Sequence, residues 1–104
     1  MYDDTVTVLK ELIEESDDVK FKAGLSKLLE YASRINYEHP IIDDCIQVES
    51  SIWPELFWGQ SHVALFSEEK EKQYRTLKKY DWHCYMIDDA VDPEKIFRHV
   101  KKGE

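Results

Sequence analysis

The chain has little of what would point to a cofactor, a membrane or an oxidising compartment. It holds only three glycines among 104 residues. No glycine-rich phosphate loop, Gly-x-Ser-x-Gly motif or Cys-x-x-Cys pair occurs in it, so no cofactor is expected. No run of about 18 apolar residues is present, which argues against a transmembrane helix. The acidic start, Met1–Asp4, precedes no apolar signal region, so we expect a cytoplasmic protein without a membrane partner.

Metal-binding and nucleophilic chemistry have equally few candidates. The two cysteines, Cys45 and Cys84, stand apart in apolar segments and predict buried thiols rather than a disulfide. The four histidines lack the spacing of zinc ligands, and the neighbours His83 and Cys84 point to opposite faces of a predicted strand. We therefore expect neither a metal site of this kind nor a Cys–His catalytic pair.

The net charge is −8, and it is concentrated in one half of the chain. Residues 1–52 carry 12 acidic and 5 basic side chains, whereas residues 53–104 carry 10 and 9. A chain of this balance repels nucleic acid overall and can attract a basic protein surface, so a protein partner is expected and nucleic acid is at most a weak one. The alternative is that the charge serves only to keep the domain soluble. The acidic residues that would meet such a partner are Glu14, Glu15, Asp17, Asp18, Asp43 and Asp44, with Asp88 and Asp89 further along. The alternative is that each cluster is only a solvated turn or helix end.

The first third of the chain predicts two helices. Apolar residues recur at spacings of three and four over residues 4–15 and again from Phe21 to about Asn36. Ser16-Asp17-Asp18 separates the two patterns and supplies N-caps for the second helix. His39-Pro40 ends the helical region.

The rest of the chain alternates between strands and helices. Strands are predicted over residues 45–49, 52–58, 62–66 and 82–87, and Pro54 places an edge or a bulge in the second of them. Ser67 is predicted to cap a charged helix over residues 68–80, and Asp92-Pro93 to begin a last helix. The whole chain is expected to form one α/β domain. Its mixed sheet of about four strands follows the two helices in the order β-β-β-α-β-α, with the last two strands parallel.

The aromatic segment at residues 53–58 begins a pattern of elements that resembles a known superfamily. Trp53-Pro54-Glu55-Leu56-Phe57-Trp58 and the apolar strand after it are followed by a charged helix, then Tyr80-Asp81-Trp82, then another strand. This pattern, over about residues 45–100, resembles the core of the PD-(D/E)XK nuclease superfamily. It is most similar to the degenerate versions at the C-terminal end of some bacterial helicases. The resemblance implies a restriction-endonuclease-like core and a place in nucleic-acid or phage-defence machinery.

Active members of that superfamily hold a divalent metal with acidic residues on adjacent strands and a nearby lysine. In this chain Glu55 takes the first acidic place, and Glu68-Glu69-Lys70 matches the acidic-x-lysine step. The resemblance thus implies Glu55, Glu68 and Lys70 as catalytic residues, with Mg²⁺ as cofactor, if the domain is a nuclease. However, Val63-Ala64-Leu65-Phe66, the strand that should carry the second acid and the lysine, has neither. The expected domain is therefore non-catalytic.

Aromatic residues are the remaining candidates for a binding surface. Trp53, Phe57 and Trp58 lie close together in the chain, and an exposed sheet face would present them as a partner-binding patch. The alternative is that flanking helices cover both faces of the sheet. A run of lysines and arginines over residues 70–79 could contact nucleic acid, but the glutamates among them favour a salt-bridged, solvated helix.

Three functions follow from these observations. The first is a non-catalytic, nuclease-like module that binds a protein partner. The second is a small acidic inhibitor, such as an immunity or phage anti-defence protein, that blocks a basic site on its target. The third is a metal-dependent nuclease. The sequence leaves the partner and the oligomeric state open.

Overall fold

The computed structural model describes residues 5–34 and 39–101, and these form a mixed α/β fold. The helices are α1 (Thr5–Glu15), α2 (Val19–Ala32), α3 (Glu71–Lys78) and α4 (Pro93–Phe97). The strands are β1 (Ile46–Gln47), β2 (Ser51–Ile52), β3 (Leu56–Trp58), β4 (Val63–Phe66) and β5 (His83–Met86). A 3₁₀ turn over Glu68–Lys70 leads into α3. None of the described helices is long and apolar enough to cross a membrane.

The predicted helix caps are confirmed at two of three positions. The Asp18 carboxylate accepts hydrogen bonds from the backbone N–H groups of Lys20 and Phe21, at 3.0 and 3.2 Å, and so begins α2. Asp92 accepts from the N–H of Glu94 at 3.1 Å, with Pro93 as the first helical residue. Ser67 occupies the predicted N-cap position, at the start of the 3₁₀ turn, but its side chain makes no capping hydrogen bond. Helix α2 ends at Ala32, and residues 35–36 of the predicted helix lie outside the described part of the chain.

The larger sheet has three strands in the order β3-β4-β5. Strands β3 and β4 pair antiparallel as the predicted hairpin, with Phe57 opposite Ala64. Strands β4 and β5 are parallel, with Leu65 opposite Tyr85, and α3 connects them as predicted. The turn between β3 and β4 includes His62, whose φ of 56° is positive although it is not glycine.

The prediction of a single sheet of about four strands is wrong. The predicted strand over residues 52–58 is interrupted at residues 53–55, and its first part pairs with β1 as a separate two-stranded sheet. Pro54 has no N–H to donate to a ladder, which explains why the pairing stops there. The described structure therefore has a mixed three-stranded sheet and a short antiparallel hairpin. A restriction-endonuclease-like core stays a prediction.

Helices and loops cover both faces of the three-stranded sheet. On one face α1, α2 and α4 enclose what we call the three-helix core, to which the sheet contributes Leu56, Trp58, Val63 and Leu65, and the residue after β5 contributes Ile87. On the other face α3 and the β1–β2 hairpin enclose the smaller α3 core, to which the sheet contributes Phe57, Ala64, Phe66 and Cys84. All four residues of β4 are buried, as expected for a strand that is covered on both sides.

Candidate functional site

Two adjoining pockets form a cleft with an acidic lining. Together they lie between α1, the interruption at residues 53–55 and the 3₁₀ turn that leads into α3. Leu12, Ile42 and Pro54 provide apolar lining. The charged residues that line what we call the acidic cleft are Glu11, Glu15, Asp18, Asp43, Glu55 and Glu69, against the single cation Lys70. Carboxylates thus outnumber cations strongly, and a positive potential for binding anions is excluded here.

Trp53 stands at the mouth of this cleft with 47% of its surface exposed. Its backbone N–H and carbonyl each hydrogen-bond to a side chain, one from α3 and one from the 3₁₀ turn before it. The Trp53 N–H donates to Gln73 Oε1 at 2.6 Å, and Lys70 Nζ donates to the Trp53 carbonyl at 2.8 Å. An exposed indole on a fixed backbone loses little conformational freedom when a partner covers it.

Glu55 lies inside the cleft and is tied to two neighbours. Its carboxylate pairs with Lys70 Nζ at 3.2 Å, and Ser67 Oγ donates to the same oxygen at 3.0 Å. The side chains of Glu55 and Lys70 are 22% and 29% exposed, so water screens the pair only in part. The Ser67 hydroxyl, which the sequence predicted as a helix cap, therefore binds the Glu55 carboxylate instead.

The structure brings together two of the three residues that the nuclease resemblance implied. Glu55 and Lys70 are in contact, whereas Glu68 is exposed and does not line the cleft. Across residues 5–34 and 39–101, no group of three or more His, Cys, Asp or Glu side chains is arranged to hold a metal ion. The cleft thus contains the ion pair of the predicted motif without a metal-binding cluster in the described chain.

The predicted aromatic patch does not exist as a surface. Phe57 is 6% exposed and packs into the α3 core, and Trp58 is 0% exposed and packs into the three-helix core. Trp58 meets the ring of Phe97 edge-on at 5.6 Å, while Phe57 meets Trp82 at 6.2 Å. Neighbours on a strand point to opposite faces, and both faces are covered, so only Trp53 is accessible.

The predicted acidic residues divide into two groups. Glu15, Asp18 and Asp43 line the cleft, although the Asp18 carboxylate also caps α2. The others lie outside the cleft, and these are Glu14, Asp17, Asp44, Asp88 and Asp89. Asp44 is engaged locally, because its carboxylate accepts a hydrogen bond from the N–H of Cys45 at 2.7 Å. The acidic surface is therefore narrower than the sequence clusters indicate.

Comparison of the chain with models of protein families, with curated proteins and with solved structures finds no match. The geometry of the cleft is therefore the basis for assigning a function. Ser67, which lines the cleft, and Gln73, which accepts a hydrogen bond from the Trp53 N–H, were not among the predicted site residues. Single polar residues that hold a neighbouring segment carry no periodic signal, so only the fold shows their role.

Two of the five basic residues over residues 70–79 pair with carboxylates in the described structure. Arg75 pairs with Glu71 one turn earlier at 2.7 Å, and Lys70 pairs with Glu55. Lys78 lies over the ring of Tyr74, 5.2 Å from its centre. These contacts fit a solvated, internally paired helix better than a surface that follows a phosphate backbone.

Proposed function

We propose that this chain is a protein-binding module whose acidic cleft accepts a basic segment of a partner. The observation that carries the proposal is the fixed, half-exposed Trp53 at the mouth of a cleft in which six carboxylates face one lysine. Aromatic residues of this kind are enriched among the residues that dominate binding energy.

The chemistry of the cleft selects a cationic side chain, and arginine above all. A guanidinium can stack on the Trp53 indole while its N–H groups donate to carboxylates at the rim. Glu15 is the best-placed rim residue, because it lines both pockets and is exposed. Long-range attraction by the net charge of −8 would raise the association rate of a basic partner.

The two predicted binding functions share this surface. A nuclease-like module without catalysis, working within nucleic-acid or phage-defence machinery, would use the cleft to hold a basic segment of a larger protein. A small acidic inhibitor would use it to cover a basic active or nucleic-acid-binding site. In both cases the chain acts by occupying a basic surface, and we propose protein rather than nucleic acid as the partner class.

A basic peptide provides the direct test. A fluorescently labelled peptide of alternating arginine and serine is titrated with the wild-type protein and followed by anisotropy at low and high salt. Trp53→Ala is expected to weaken binding about tenfold, the loss that a central aromatic anchor typically causes. Glu15→Lys is expected to weaken it by a comparable factor.

Two matched variants control for folding and for general charge. Glu14→Lys reverses a neighbouring exposed carboxylate outside the cleft, and Tyr80→Ala removes an exposed aromatic residue elsewhere. Both are expected to bind nearly as the wild type does. Equal affinity of the Glu14→Lys and Glu15→Lys proteins would show that the net charge, and not this cleft, attracts the peptide.

The contact between Glu55 and Lys70 keeps metal-dependent cleavage as a second candidate function. Its test is incubation of plasmid and of single-stranded DNA with Mg²⁺ or Mn²⁺. We expect no cleavage. Activity that disappears in Glu55→Gln but persists in Glu14→Gln would replace the binding proposal with the nuclease.

A further inference from the structure

Strand β5 forms the outer edge of the three-stranded sheet, with β4 on its inner side. The opposite edge of the sheet is extended, because Ile41 and Phe57 exchange two backbone hydrogen bonds of 2.7 and 3.0 Å. Among residues 5–34 and 39–101, no strand pairs with the outer side of β5.

The backbone of β5 presents alternate residues to this open edge. The N–H of His83 donates to the His62 carbonyl at 2.8 Å, and that of Ile87 to the Phe66 carbonyl at 2.9 Å. Because the direction of the N–H and C=O groups alternates along a strand, Tyr85 also faces β4. The backbone groups of Cys84 and Met86 therefore face outward, where an added strand would pair with them.

Elements that carry cations pack against β5 on both faces of the sheet. On one face, Lys78 is the last residue of α3, which packs against β5, and its Nζ donates to the Tyr74 hydroxyl at 3.1 Å. On the other face, Arg98 precedes His99, whose ring stacks on that of His83 in β5 with the centres 3.8 Å apart. The Tyr85 hydroxyl also reaches the carbonyl of Lys95 in α4, at 3.5 Å.

We infer that the outer edge of β5 binds an extended, acidic segment of a partner polypeptide as an additional strand. The backbone of Cys84 and Met86 would supply the strand pairing, and Lys78 and Arg98 would meet carboxylates on the two faces of the bound segment. With only four residues in β5, the pairing is short, so the charges decide which segments bind.

A second copy of this chain fits the edge less well. In an antiparallel β5–β5 pair related by a two-fold axis, each copy would bring its own Lys78 and Arg98 to the same edge. Cations would then face cations, which is unfavourable at the short distances across a strand pair. An acidic segment gives the complementary arrangement.

This surface is independent of the acidic cleft. The cleft involves α1, residues 53–55 and the 3₁₀ turn before α3, and it is negative, whereas Lys78 and Arg98 belong to elements that pack against β5. A variant with Trp53→Ala is therefore expected to bind acidic segments as the wild type does, and failure at one surface says nothing of the other.

Amide hydrogen exchange measured by nuclear magnetic resonance tests the open edge first. In the free protein, the amides of Cys84 and Met86 are expected to exchange at least about tenfold faster than those of Tyr85 and Ile87, because only the latter two donate within the sheet. A peptide of alternating valine and glutamate is then added, and it is expected to slow the two outer amides. Slow exchange at Cys84 and Met86 before peptide is added would mean that the edge is already covered and would overturn the inference.

Matched peptides and variants separate strand pairing from simple charge attraction. The same valine–glutamate peptide with N-methyl groups on alternate amides keeps its charge but cannot pair, and a valine–lysine peptide pairs with the wrong charge. Both are expected to slow the exchange of the Cys84 and Met86 amides only at concentrations at least about tenfold higher, a measurement at the β5 edge that binding of the lysine peptide in the acidic cleft does not affect. Lys78→Glu with Arg98→Glu is expected to weaken the acidic peptide similarly, whereas Lys10→Glu, on α1, leaves it unchanged.

Met86→Pro removes an outward N–H without removing a hydrogen bond to β4, and it is expected to abolish binding while Met86→Ala retains it. Equal binding of the N-methylated and unmodified peptides overturns the inference even if the proline variant does not fold. Protection of the outer amides that grows with protein concentration, without peptide, would identify a second copy as the occupant and would also overturn it.

Discussion

The two faces of the three-stranded sheet are closed in different ways. Three helices cover one face and enclose a core of aliphatic and aromatic side chains, whereas one helix of eight residues and a two-stranded hairpin cover the other. Strand β4 is buried on both sides and has no acid or lysine. Its apolar sequence therefore reflects two-sided burial, and the surfaces open to partners lie at the margins of the sheet rather than on its faces.

The largest expected effect compares one leucine from each face. Leu25 and Leu77 are both fully buried, the first in the three-helix core and the second in the α3 core. Leu25→Ala is expected to lower the free energy of unfolding by about 3–5 kcal/mol, and Leu77→Ala by about 2–3 kcal/mol. A short helix can settle into the space left beneath it more easily than three packed helices can. Denaturant titrations measure both values, and equal losses would show that the two faces are equally rigid.

A smaller loss in the free energy of unfolding is expected from a substitution where α2 meets the end of β5. A methyl group at Gly24 would collide with the backbone carbonyl of Asp88 and would lie 2.8 Å from Ile87 Cγ2. Gly24→Ala is therefore expected to destabilise the protein by about 1–3 kcal/mol, although alanine favours helix by about 1 kcal/mol.

The control for that variant is Ser26→Ala, on the exposed side of the same helix. It is expected to change stability by less than about 0.5 kcal/mol. A stabilising Gly24→Ala would show that α2 does not approach the sheet as closely as described. Thermal unfolding of the three proteins distinguishes these results.

Adjacent residues of β3 give a third comparison between the faces. The indole N–H of Trp58 is buried and has no acceptor among the described residues, which costs about 1–3 kcal/mol. Trp58→Phe removes that donor together with part of the ring, so its net cost is expected to stay below about 1.5 kcal/mol. Phe57→Leu, on the opposite face, removes aromatic volume without such relief and is expected to cost more. The reverse order in chemical denaturation would mean that the indole N–H is satisfied.

The smallest expected effect depends on pH. The rings of His83 and His99 stack with their centres 3.8 Å apart. Burial, then His83 and Arg98, lower the pKa of His99 below its usual 6.5. The unfolded chain therefore binds this proton more readily, and the free energy of unfolding falls as the pH drops below about 6.5.

The effect is measured as the difference between the free energies of unfolding at about pH 7.5 and about pH 5.5, because most carboxylates stay ionised over that range. His99→Gln is expected to lose part of the wild-type difference. An unchanged difference in that variant would assign the effect to other groups.

Much of the framework could be predicted from the sequence, because it depends on local patterns. The two first helices, the caps at Asp18 and Asp92, the hairpin between β3 and β4 and the parallel β4–β5 pair all follow from periodicity and turn chemistry. The strands are shorter than predicted, since the apolar pattern extends beyond the residues that actually pair. Pro54 gave the signal for an interruption, but whether the chain bends or leaves the sheet there depends on what packs around it.

The site was predictable only in part. Trp53, Glu55, Lys70 and Glu15 were candidates, yet nothing local distinguishes exposed Trp53 from buried Trp58. Burial depends on which elements cover each face, and that is a long-range property. For the same reason the sequence could not show that Ser67 and Gln73 hold the segment at the cleft, because their partners lie 12 and 20 residues away.

The unequal surroundings of the three tryptophans also have an optical consequence. Trp58 is enclosed by protein, Trp82 stacks on His62 with the ring centres 4.6 Å apart, and Trp53 alone is half exposed. A diffusing collisional quencher should therefore reach the Trp53 indole best. The surrounding carboxylates attract caesium and repel iodide, so the caesium ion should dim this emission more effectively. Intrinsic fluorescence can thus report, without any label, when something enters the cleft.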